Sequence, residues 1–126
     1  MSLPTQTFTI TRADLVRYAA ASGDPNPIHQ DDEVARSVGL PGVIAHGMYT
    51  MALAARAVAG WTEDAEVVEI GCKFTAPVEV PADGGATVVV AGVVKSVADG
   101  LATIVLEVTC QGAKVLGAPK AVVRVG

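Results

Sequence analysis

Between residues 101 and 111 the chain alternates. Ala102, Ile104, Leu106, Val108 and Cys110 fall on one side of an extended backbone, and Leu101, Thr103, Glu107, Thr109 and Gln111 fall mostly on the other. A period of two marks a strand with one buried face. Three more segments rich in Val, at 66–76, 86–97 and 113–125, also read as strands. ADGG (82–85) and ADG (98–100) supply turns. A short β-like run, TFTI at 7–10, opens the chain.

Between that opening and residue 66 the period changes. Residues 11–22 predict a helix: Thr11 can cap it, Asp14 stands three residues later, and Leu15, Tyr18 and Ala19 share a face. Gly23 stops it, and Pro25 and Pro27 forbid its continuation. Residues 31–39 predict a second, short helix with Asp31 as cap, acids in its first turn and Gly39 closing it. The longest helical stretch, 45–61, is rich in Ala and Met and nearly uncharged, which predicts burial on most sides. Helices first and long antiparallel strands after predict an α+β fold. A sheet of this size curls through its twist, and a helix of small side chains is its natural filling. The expected arrangement is a hot-dog: a curled antiparallel sheet wrapped around one long central helix, as a single domain over 1–126.

Composition narrows the classes. Apolar residues make up 51% of the 126, while aromatics make up only 4%, so the core must be aliphatic. The net charge is −4 with no basic run, which excludes the basic face a nucleic-acid reader needs. No apolar stretch reaches the ~18 residues of a membrane span, so no membrane insertion is expected. The opening MSLPTQTF has no signal-peptide pattern. Cys72 and Cys110 lie far apart without metal-type spacing and read as buried thiols, which fits a cytoplasmic protein.

The exception to this apolar texture is SGDPNPIHQDD, residues 22–32. Two prolines bar helix and predict a stiff loop. Such a loop can hold Asp24 and His29 at a set separation, both within reach of one water or one substrate hydroxyl, as general acid–base catalysis requires. His titrates near neutrality, and an apolar pocket around Asp24 would favour its protonated form. Asn26 can anchor the loop through backbone hydrogen bonds. A plainer reading stands beside this one: Asp24 caps a turn and His29 is a satisfied buried histidine. A metal site from His29, Asp31 and Asp32 is not expected, because the helix start explains both acids and no further ligand set is evident.

AHGM, 45–48, opens the long helix. The first amides of a helix lack internal partners and lie in positive potential. Gly47 lets a ligand come close, so its amide can stabilise charge growing on a carbonyl oxygen. His46 reads as a capping or packing residue.

These residues carry a resemblance. Tyr18 to Ala35, YAAASGDPNPIHQDDEVA, resembles the hydratase-2 signature of the MaoC-like (R)-specific enoyl-CoA hydratases and (3R)-hydroxyacyl-carrier-protein dehydratases, IAHGM follows at the family's usual distance, and KFTAPVEV (73–80) resembles its Phe-x-x-Pro-Val strand end. The wording SGDPNPIH and IAHGM especially resembles the catalytic subunits of mycolic-type dehydratases. The resemblance implies reversible hydration of trans-2-enoyl thioesters to (3R)-3-hydroxyacyl thioesters in fatty acid or related acyl metabolism. It makes Asp24 and His29 the catalytic pair, the Gly47 amide the oxyanion donor, and Ser22, Asn26 and His46 the supporting residues. It implies no cofactor beyond the CoA or acyl-carrier-protein (ACP) phosphopantetheine that carries the substrate. It also implies a homodimer, or a heterodimer with a related hot-dog subunit. Two departures stand out. MALAAR offers only Ala54 and Ala55 where some relatives place a Ser on the central helix, and the longer N-terminal segment of some dehydratase subunits is not in this sequence. A hot-dog thioesterase would want a carboxylate on the central helix, and none lies between Gly47 and Gly60. A non-catalytic acyl-thioester-binding subunit would lack the acid–base pair.

Overall fold

A computed structural model describes residues 1–125. Strand β1 (Ser2–Ile10) leads into helix α1 (Arg12–Ser22), a 3₁₀ turn (Pro27–His29), a short helix α2 (Asp32–Ser37) and the central helix α3 (Gly47–Thr62). Strands β2 (Val67–Phe74), β3 (Ala86–Ala98), β4 (Leu101–Cys110), β5 (Ala113–Lys114) and β6 (Leu116–Arg124) follow. One sheet runs β1-β3-β4-β6-β2, with β5 beside β4, and every pairing is antiparallel. α3 packs against β1, β2, β3 and β6, so the sheet curls around it in the hot-dog arrangement.

The alternation read in β4 is the one observed: Ala102, Ile104, Leu106, Val108 and Cys110 are all buried. Opposite them, α3 buries Thr50, Leu53, Ala54, Ala57 and Val58. Where the chain passes closest, small residues permit it. A Cβ on Gly92 of β3 would lie 2.7 Å from the Trp61 ring near the end of α3.

Four expectations need correction. The opening strand is longer than TFTI, because most of its length pairs with β3; Pro4 is tolerated on this edge strand, where the register shifts. The last predicted strand is two, β5 and β6, with Val115 between them. α3 is not buried on most sides: Met48, Ala52, Arg56 and Gly60 form an exposed line, because one curled sheet covers one side of a helix. The prolines of the 22–32 segment do not exclude helical turns. Pro27 begins the 3₁₀ turn, a position where its missing N–H costs nothing.

Candidate active site

α1 is held at its start by a capping box, with Thr11 and Asp14 each bonding the other's backbone N–H. It ends at Gly23, whose φ of 74° turns the chain out of the helix. Three local bonds then set the path. Ser22 Oγ accepts from the Asp24 amide (3.3 Å), Asp24 Oδ1 from the Asn26 amide (3.3 Å), and Asn26 Oδ1 from the Ile28 amide (3.2 Å). Short polar side chains bonding the backbone two residues on are what make such a segment stiff. The 3₁₀ turn then drives His29 inward, where it is 7% exposed.

The orientation of His29 follows from its partner. Nδ1 lies 2.7 Å from the carbonyl oxygen of Ile44. A carbonyl only accepts, so Nδ1 donates and Nε2 keeps its lone pair. The Ile44 amide in turn donates to the Ile28 carbonyl (3.2 Å), which ties the two segments together. Burial pushes the His29 pKa below its ordinary value; the bond to Ile44 and the nearby Asp24 oppose this, and His46 adds to it. The neutral, proton-accepting form therefore persists into mildly acidic solution.

Asp24 is exposed, which corrects the expectation of an apolar pocket around it. One donor atom each from Asp24, His29 and His46 lies within 4.8 Å of the others. The two imidazoles stack at 3.7 Å with only 21° between their planes, so they cannot both direct a lone pair at one ion. Asp31 caps α2 through the Glu33 and Val34 amides, and Asp32 accepts from Arg12 and from the Val43 amide. These acids hold the fold.

Gly47 is the first residue of α3, and its φ lies outside the left-handed region. What approaches it is the ring of Phe74, 3.1 Å from where a Cβ would stand. Two cavities of about 350 Å³ meet here. His29, Thr50 and the 74–78 segment line one; Tyr18, Ser22, Asp24 and His46 line the other; Gly47 and Phe74 line both. Phe74 enters the sequence reading only as the Phe of the Phe-x-x-Pro-Val strand end, with no place at the site, and Thr50 escapes it. Phe74, an aromatic 56% exposed at the end of β2, carries no periodic signal. Thr50 is detectable only as the hydroxyl three residues after Gly47.

With this geometry in view, comparison with known proteins is informative. The MaoC like domain matches residues 2–114, and the chain belongs to that family. It is 42% identical over 82 residues to the 3-hydroxyacyl-thioester dehydratase X of Mycobacterium tuberculosis, covering 65% of this chain and 29% of that protein. The solved structure of a MaoC-like dehydratase superposes on 100% of this chain and 40% of its own, with TM-score 0.96 and 38% identity. An R-hydratase from Pseudomonas aeruginosa superposes with TM-score 0.84 and 26% identity, over 99% of this chain and 80% of its own. The chain thus spans 29% and 40% of the lengths of these two dehydratases.

Proposed function

We propose that this chain, read as one hot-dog unit over 1–126, catalyses reversible hydration of trans-2-enoyl thioesters to (3R)-3-hydroxyacyl thioesters. The observation that carries the reading is the bond between His29 Nδ1 and Ile44 O. It leaves a basic Nε2 at the site, beside the Asp24 carboxylate and close to the first amide of α3. In hydration, Asp24 and His29 activate one water. Its oxygen adds to C3, one of its protons passes to the pair, and a proton returns to C2. In dehydration, His29 takes the C2 proton and Asp24 assists departure of the C3 hydroxyl as water. The Gly47 amide donates to the thioester oxygen while enolate-like charge rests there. Ser22 and Asn26 hold the loop. Adding water across a double bond requires no net electron transfer, so the reading calls for no resident cofactor; CoA or the phosphopantetheine of ACP carries the acyl group.

We further propose a dimer, with a second copy or a related hot-dog subunit. β1 and β2 are the sheet's two edges, and β2 exposes Val67, Val68 and Phe74. An exposed apolar edge invites pairing. Among the described residues no helix is long and apolar enough to cross a membrane. Free Cys72 and Cys110 accord with a cytoplasmic setting. The test is purified protein with crotonyl-CoA. Loss of enoyl absorbance with formation of the 3R product supports the proposal, and absence of turnover by a folded dimer overturns it.

A further inference from the structure

His46 and Thr50, each 3% exposed, are the most buried polar side chains near the site, and His46 bonds or stacks on both members of the proposed pair. Its ring lies flat against His29, with centroids 3.7 Å apart. Its Nε2 lies 3.2 Å from the carbonyl oxygen of Asp24. A carbonyl only accepts, so Nε2 carries the hydrogen and donates it. Nδ1 is then left buried with no partner among the described residues. His46 heads α3 yet makes no capping bond with its side chain. A histidine needed only to start a helix would cap it, and one needed only to fill space is better replaced by an apolar ring, since an unpartnered buried nitrogen costs free energy. The cost is explained if the donor and the ring each do something that a cap or an apolar filler would not.

We propose that His46 is a positioning residue with two separable functions: its Nε2–H fixes the backbone at Asp24, and its ring face shields His29 from water. This deepens the hydratase reading and rests on it for the roles of Asp24 and His29. The first function sets where the carboxylate stands, because the Asp24 carbonyl and carboxylate belong to one residue on the loop between α1 and the 3₁₀ turn. The second keeps His29 a base, since water at that face would stabilise imidazolium. The groups facing the pair are few. Asp24 comes from the loop, Tyr18 from α1 sets its ring edge-on to His46 at 4.8 Å, and Tyr49 from α3 sets its ring edge-on to Tyr18 at 5.1 Å. Asp14, Arg17 and Arg56 act on Tyr49 from further out.

Two substitutions separate the functions. His46→Phe keeps a ring against His29 and removes the donor. His46→Gln keeps an amide N–H for the Asp24 carbonyl and removes the ring. With crotonyl-CoA, His46→Phe is expected to lower kcat/KM ~10-fold or more, a part of the ~10²–10⁴-fold that acid–base groups contribute, with its acid limb moved only as far as the loss of the His46 charge moves it. His46→Gln is expected to recover several-fold of that loss while its acid limb moves to higher pH than that of His46→Phe. NMR titration of the His29 ring reads the second function without any turnover. Both variants lose the like charge of His46, so the His29 titration should lie higher in His46→Gln than in His46→Phe, and the shielding function is tested even if the hydratase reading fails. Circular dichroism confirms the fold of both variants. Wild-type kcat/KM in folded His46→Phe, or a His29 titration no higher in folded His46→Gln than in folded His46→Phe, overturns the proposal.

Discussion

His29 shows how a single hydrogen bond assigns a role to a side chain. The Ile44 carbonyl fixes which nitrogen carries the proton, and that leaves the other with a free lone pair on a ring that lines the cavity. On the proposed mechanism, Asp24→Asn and His29→Ala each lower turnover ~10²–10⁴-fold, the range for general acid–base groups. Their combined loss should fall short of the product, because the two serve one water; steady-state kinetics of both single variants and the double variant check this. The pH dependence has a definite sign. His29 is held below its ordinary value of 6.5, chiefly by burial. The acid limb of kcat/KM should therefore lie below 6.5, where His29 protonates. Its contribution to stability is fully present above 6.5 and is lost as pH falls through the lower folded value. Chemical denaturation at a series of pH values should show that decline in the wild type and a weaker one in His29→Ala.

At the scale of elements, the site is assembled where α1, the 3₁₀ turn and α3 converge, and each is anchored by its own device. Thr11 caps α1, so Thr11→Ala should cost about 1 kcal/mol by denaturant titration and loosen the segment that leads to Asp24. Arg12 bonds the Val80 carbonyl and both oxygens of Asp32, and Asp32 accepts from the Val43 amide. The Val43 bond, then Arg12, holds the Asp32 carboxyl below the usual 3.8. The stability it gives is present above 3.8 and lost as pH falls through the lower folded value. Asp32→Asn should therefore flatten the acid limb of a stability profile in that range. At the head of α3, Gly47→Val should fold, because the exposed Phe74 ring can swing aside and φ is unstrained. It should still lose ~10²-fold or more in kcat/KM, comparable to one oxyanion donor. Circular dichroism and kinetics on the same sample separate the two effects.

For the whole molecule, the sheet leaves two edges open, and the β2 edge exposes Val67, Val68 and Phe74 alongside Glu69 and Lys73. Sedimentation at micromolar concentration should show at least a dimer, and a fully active monomer would remove that part of the reading. The core is aliphatic and continuous from β1 to β6. Ile104→Ala, near its centre at 1% exposure, should cost about 2–5 kcal/mol, measured as a lower midpoint of urea unfolding.

Local chemistry explains what was legible in the sequence. The period of two in β4, the Thr11–Asp14 box and the Gly23 stop depend on a few neighbouring residues, and the structure has each of them. The same is true of Asn26, whose side chain bonds the backbone two residues on, and of the hot-dog class itself, which follows from element order and a helix of small side chains. What the tertiary structure decided involves residues distant in the chain. Nothing near Asp24 in sequence says that it faces solvent, and nothing near His46 says that its ring will lie on His29, seventeen residues earlier. Phe74 reaches Gly47 only because β2 pairs with β6 and brings its end to the head of α3. The one-sided burial of α3 likewise depends on how far a sheet can curl, which no stretch of the helix encodes. Turns and caps are written in adjacent residues; the tautomer of His29, the division of the cavity and the exposure of Asp24 arise from packing between segments that only folding brings together.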